Sequence, residues 1–159
     1  MKNYKKLFSI FLTALFIISC SKDESTPLVE EPNGYTQYGT PFSPVPAIED
    51  MIVYEVNIRS FSTNGSLQSV INRLDNIKSL GVNTIWLMPI YPVGTVNSVN
   101  SPYCIKNYKE VATEYGNLTM LRDLTTQAHQ KGMTVILDWV ANHTSWDNPW
   151  INTHSDWYT

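Results

Sequence analysis

Residues 133–144 read MTVILDWVANHT. A carboxylate (Asp138), an amide (Asn142) and an imidazole (His143) follow a short apolar run. On residue type alone, Asp138 beside a histidine looks like a nucleophile. Asn142 taken by itself reads as a turn former, and it also opens an N-x-T triplet. His143 reads as a loop histidine satisfied by its neighbours, and Tyr103, after Pro102, as packing. His129 falls in an expected helix and reads as structural, while His154 carries no assignment.

These groups need elements to hold them. MTVIL is an apolar run without polar alternation, which predicts a strand buried on both faces in a parallel sheet covered by helices. Asp138 then stands where the strand leaves the core. MIVYEVNI (51–58) is a strand candidate rich in β-branched and aromatic residues. Asn64-Gly65-Ser66 reads as a turn with Ser66 as N-cap. Leu67, Val70, Ile71, Leu74 and Ile77 share one face of a helix that ends at Gly81. VNTIWLM (82–88) is the second strand, stopped by Pro89 and Pro92. A long loop runs from Ile90 to about Tyr115. A second helix starts near Asn117, with Leu118, Leu121, Leu124 and Ala128 on one face, and ends at Gly132. The order β-α-β-loop-α-β implies right-handed crossovers and a parallel sheet. An open, doubly wound sheet fits the same pattern, but neither βα turn carries a glycine-rich phosphate loop, which argues against a nucleotide binder.

Composition narrows the function classes. The chain has 159 residues and a net charge of -3. Length fits about one domain, and no basic stripe marks a nucleic-acid partner. Of five Trp, four (Trp139, Trp146, Trp150, Trp157) fall near the C-terminus. They read first as core or loop anchors. A carbohydrate platform is the sharper alternative, because flat aromatic faces pack on the C–H faces of sugars.

The N-terminus reads MKNYKK, then LFSIFLTALFIIS, then Cys20. A basic stretch before an apolar run of secretory length is a signal peptide, too short for a stable span. Ile17-Ile18-Ser19-Cys20 resembles the lipobox of bacterial lipoproteins. That resemblance implies cleavage after residue 19, acylation of Cys20 and an unpaired Cys104. The following SKDES is similar to a surface-export signal of some Gram-negative lipoproteins, and also reads as solvated linker. Residues 21–50 are rich in Pro, Ser, Glu and Gly, and read with Cys20 as a disordered tether. No internal repeat is present.

Four ordered segments carry a further resemblance: YEVNIRSF at 54–61, LGVNTIWLMPI at 80–90, SPYCIKNYKEVATEYGNL at 101–118 and DWVANH at 138–143. Together they resemble the alpha-amylase family of glycoside hydrolases, family 13. DWVANH matches its D-x-x-x-N-H region, and 101–118 matches its Y-x-I-x-D-Y…E-[FY]-G-T loop. The resemblance covers residues 51–159 and implies an α/β fold: the first three βα units of a TIM (β/α)8 barrel. Such a barrel takes about 250 residues, so it is incomplete in this chain. SWDNPW and HSDWYT (145–159) look like the start of the domain inserted after the third strand.

The implied chemistry is retaining hydrolysis or transfer at α-glucosidic bonds, with starch or maltooligosaccharides as partners. It needs two carboxyl groups about 5 Å apart, which the family places after later strands. No catalytic residue of that pair is therefore expected here, and the chain alone is expected to be inactive. The resemblance recasts Asp138 as site-shaping, tied in the family to an arginine near the nucleophile, so that Asp138 is expected to lack its partner here. It makes His143 a hydrogen-bonding partner of the sugar on the non-reducing side of the cleaved bond, and Tyr103 the ring that stacks on that sugar. Asn142 matches a calcium-ligating amide, which makes calcium a candidate cofactor. Two positions depart from the pattern. Asn107 replaces the loop Asp and loses a charge. Asn100 stands where terminal glucosidases often have Asp, which favours a polymer-acting enzyme. The expected location is the outer membrane, facing outward through the lipid anchor. A surface glycan-binding lipoprotein without catalysis is the alternative.

Overall fold

The computed structural model describes residues 38–159. The expected signal peptide, Cys20, the export-like segment and most of the expected tether lie outside the described residues. The chain divides into units 1–40 and 41–159, and the fold described below is that of the second unit.

Three parallel strands form one sheet in the order β1-β2-β3: β1 (Val53–Val56), β2 (Thr84–Leu87) and β3 (Thr134–Leu137). Helices fill the crossovers: α1 (Ile58–Phe61), α2 (Leu67–Ile71) and α3 (Leu74–Ser79) after β1, and α4 (Leu118–Gln130) after β2. A short α5 (Trp150–Thr153) follows β3. The α/β fold expected from the alternating pattern is the fold observed.

The caps show why these helices begin and end where they do. Ser66 accepts a hydrogen bond from the Ser69 N–H, and Asn117 Oδ1 accepts one from the Met120 N–H at 3.0 Å. Each satisfies a donor that the first helical turn leaves orphaned. Gly81 and Gly132 follow α3 and α4 with φ of 86° and 70°, the left-handed conformation that glycine adopts without a Cβ penalty.

Two expectations need correction. The helix expected from Ser66 to Gly81 breaks at Asn72 and Arg73 into α2 and α3. There the ladder tightens into a 3-10 step, with Arg73 N–H bonded to Val70 O. The strand 51–58 is shorter than expected, because Ile58 already opens α1.

The core lies between the sheet and the helices. Val56, Ile85 and Leu87 meet Leu67, Val70, Leu74, Ile77, Leu124 and Ala128 there. β3 differs from its expected burial on both faces: Ile136 and Leu137 are 37% and 41% exposed. Ile136 stands in register with exposed Glu55 and Trp86 on the face that no helix covers, and Leu137 ends a strand that among the described residues pairs only with β2. At the N-terminal ends of the strands, Asn83 ties the entry of β2 to the preceding turn. Its Oδ1 accepts from Ile52 N and its Nδ2 donates to Asp50 O, both at 2.8 Å. Phe42, in the segment read as tether, stacks on His129 with ring centroids 4.3 Å apart.

Candidate functional site

The candidate side chains gather at the C-terminal strand ends and in the loops that follow them. Register places Val56, Leu87 and Leu137 side by side. Asp138 follows Leu137 and donates its N–H to Leu87 O at 2.9 Å, which fixes its backbone as a continuation of the sheet. Its Oδ2 accepts the Tyr103 hydroxyl at 3.1 Å. Tyr103 lies 35 residues earlier, so the fold joins two residues that sequence placed only in separate segments. Burial, then the hydrogen bond to Asp138 and its charge, raise the Tyr103 phenol above its ordinary range. Tyr103 is thus a partner of Asp138 within this chain, a pairing that residue types did not announce.

Asn142 and His143 pair with each other: Asn142 Nδ2 lies 3.2 Å from His143 Nδ1. Both are exposed. Their loop is pinned by Tyr108, whose hydroxyl lies 2.5 Å from Val140 O and 3.0 Å from His143 O. Burial is the first cause that raises the Tyr108 phenol. Its proton stays available to those carbonyls.

A cavity of about 820 Å³ opens over this loop, with His143, Asn142, Tyr108 and all four C-terminal tryptophans in its wall. Trp150 stacks on Tyr108 at 5.3 Å, and Trp157 stands edge-on to Trp150. Trp139 and Trp146 are 77% and 72% exposed. The four tryptophans therefore split: Trp150 packs between Tyr108 and Trp157, while Trp139, Trp146 and Trp157 stay largely exposed. Tyr91 connects the two halves of the site. It lines the cavity, packs tilted on Tyr108 at 5.4 Å, and has its phenol raised by burial and then by the Asp138 charge. Sequence reasoning missed Tyr91. Its place just beyond β2, after the strand-stopping Pro89, was the available signal.

The two departures from the family pattern have local explanations. Asn107 Oδ1 accepts the Lys109 N–H at 2.9 Å, an Asx turn that needs no charge. Asn100 has φ of 57°, and its carbonyl accepts from Arg59 Nη1 at 2.8 Å. Arg59 also pairs with Glu114 at 2.7 Å and so ties the middle of the loop that carries Tyr103 to its C-terminal end.

The calcium expectation rests on Asn142 alone. Among the described residues no three His, Cys, Asp or Glu gather into a metal-holding group. Calcium takes about 6–8 oxygen ligands. Asn142 offers one such oxygen, which does not make a site.

Comparison with known proteins follows the same segments. A profile described as "Alpha amylase, catalytic domain" matches residues 31–158. Probable oligo-1,6-glucosidase 2 of Bacillus subtilis is 38% identical over 108 residues, 65% of this chain and 19% of the relative. Alpha-amylase 3 of Dictyoglomus thermophilum is 34% identical over 118 residues, 71% of this chain and 23% of the relative. The crystal structure of an alpha-amylase from Lactobacillus plantarum superposes with a TM-score of 0.67 at 41% identity, covering 69% of this chain and 27% of that one. The chain spans about a fifth of the length of these curated relatives.

Proposed function

This chain belongs to the alpha-amylase family of glycoside hydrolases, and from that premise we propose that it carries the part of an α-glucan-acting enzyme that recognises a glucosyl unit of starch or a maltooligosaccharide. The observation that carries this reading is the Tyr103–Asp138 hydrogen bond at the strand ends. With its hydroxyl engaged, Tyr103 keeps a fixed ring and uses that ring's face for the sugar. His143 donates or accepts at a sugar hydroxyl, a bond of the kind that tightens as the ring distorts toward the transition state. Asp138 shapes the site by holding Tyr103.

Bond cleavage by retention needs a nucleophile and an acid about 5 Å apart. The family resemblance assigns that pair to strands after β3, so we expect these 159 residues alone to cleave nothing. Incubation of purified 20–159 with soluble starch tests this. Release of reducing sugar that disappears in His143→Ala would overturn it. Maltotriose titration followed by NMR is expected to shift Tyr103 and His143 first.

The gathering of four tryptophans on one cavity favours a second reading, a surface glycan-binding lipoprotein without catalysis. In that case Trp139→Ala and Trp146→Ala would abolish starch binding while Tyr103→Ala left it intact.

The N-terminal pattern supports anchoring through an acylated Cys20 at the outer membrane, facing outward. Incorporation of labelled palmitate, lost in Cys20→Ala, is the expected result.

A further inference from the structure

The long loop after β2 and the loop after β3 are joined by more than the Tyr103–Asp138 bond. Val93 and Ile105 form an antiparallel bridge inside the first loop. Gly94 N–H donates to Cys104 O at 2.9 Å, and Lys106 N–H donates to Pro92 O at 2.8 Å. The second loop adds to this ribbon: Ser145 N–H donates to Ile105 O at 3.0 Å, and buried Asn148 donates to the same carbonyl at 3.2 Å. Asp147 closes the arrangement. Its Oδ2 accepts from Thr95 N at 3.1 Å and from Thr95 Oγ1 at 3.3 Å, and pairs with Lys106 Nζ at 3.2 Å.

Gly94 is required here for space. A Cβ on it would lie 2.3 Å from both Asp147 Oδ1 and Ser145 Cβ. The Thr95 N–H above all, with the Ser145 hydroxyl and the Lys106 ammonium, holds the Asp147 carboxyl well below the usual carboxylate range. The junction is therefore charged and close-fitting. It also lies next to the site, because Cys104 follows Tyr103 directly and Ser145 lies two residues after His143.

We infer that Gly94, Asp147 and Lys106 form a clasp that sets the spacing between Tyr103 and His143, with Asp147 as a positioning residue for sugar recognition; its sugar half rests on the function proposed above. A loop of this length without its own secondary structure is expected to sample many conformations. Recognition by a stacking ring and a separate imidazole needs both held to a fraction of an ångström. The clasp supplies that restraint where neither helix nor strand reaches.

Cys104 provides a readout that needs no ligand. In the full chain with Cys20→Ser, the rate of Cys104 modification by a disulfide reagent reports opening of the ribbon. Asp147→Ala is expected to speed it about tenfold and to weaken maltotriose binding by a similar factor, while amides of α4 keep their exchange protection. Asp147→Asn keeps an acceptor for Thr95 N–H and should restore most of both. Lys106→Met, a milder change at a half-exposed side chain, should fall between. Gly94→Ala should match Asp147→Ala.

Unchanged Cys104 rates in Asp147→Ala and Gly94→Ala would overturn the clasp. Faster Cys104 modification with unchanged maltotriose affinity would overturn the positioning role. If the parent chain shows no maltotriose response, the sugar reading falls and takes the positioning role with it, while the Cys104 rates still decide the clasp.

Discussion

At the scale of single residues, Tyr103 carries the most weight, because one side chain offers a hydroxyl to Asp138 and, in the proposed function, a ring to the sugar. Tyr103→Phe removes only the hydroxyl. A hydrogen bond to a charged acceptor contributes up to about 1.5–3 kcal/mol to stability, so urea unfolding should show a loss of up to that size, and calorimetry should show weaker maltotriose binding because the ring is less firmly held. Tyr103→Ala removes the ring as well and should weaken binding further. The pH dependence follows from the raised phenol. A free tyrosine ionises near pH 10. In the folded chain Tyr103 keeps its proton above that value, so its bond to Asp138 contributes stability fully below about pH 10. That contribution is lost as pH rises through the higher folded value. Tyrosinate absorbance should show late-titrating groups, and Asp138→Asn should move part of that titration toward the ordinary range, because burial still raises Tyr103 and Tyr91. His129 behaves in the opposite sense. Burial lowers its pKa, so protonation opposes folding. Stability is expected to rise with pH through the region just below the ordinary histidine value, and His129→Gln should flatten that rise in a denaturant series.

At the scale of elements, α4 decides how β3 is delivered. It starts at the Asn117 cap and ends at Gly132, directly before Met133 and β3. Asn117→Ala should cost about 1 kcal/mol. Leu124→Ala should cost about 2–5 kcal/mol, because Leu124 is fully buried between helix and sheet. Urea unfolding midpoints with unchanged slope would check both. A loss at Asn117 as large as that at Leu124 would mean the cap does more than close the first turn. The caps and the apolar faces of these helices were legible in the sequence, since both are local. The break at Asn72 and Arg73 was not. The spacing of Val70 and Leu74 fits one continuous helix as well as two short ones, and the choice between them is made by packing on the sheet.

At the scale of the whole folded unit, the sheet is covered on one face only. Glu55, Trp86 and Ile136 stand in register across the other face, all exposed. Among the described residues, β1 and β3 each have a free edge. Exposed apolar surface beside unpaired strand edges promotes association. Sedimentation of residues 41–159 should show concentration-dependent assembly, reduced by Ile136→Lys. A monomer at high concentration, unaffected by that change, would show that this face tolerates water.

The sequence alone determined what local chemistry can determine. Alternation of apolar strands and amphipathic helices set the parallel α/β order, Ser66 and Asn117 set two helix starts, and DWVANH with the loop around Tyr103 set the family resemblance. Those signals repeat at short spacing and need no distant partner. Only the tertiary structure decided that Tyr103 meets Asp138, that Tyr91 and Tyr108 bridge to the His143 loop, and that Asp147 reaches Thr95 and Lys106. Each of these joins residues tens of positions apart through long loops. The energy of a loop conformation lies in which of many weak closures are made together. That choice depends on the strand ends holding both loops at one edge of the sheet, a constraint that arises only after the sheet has formed.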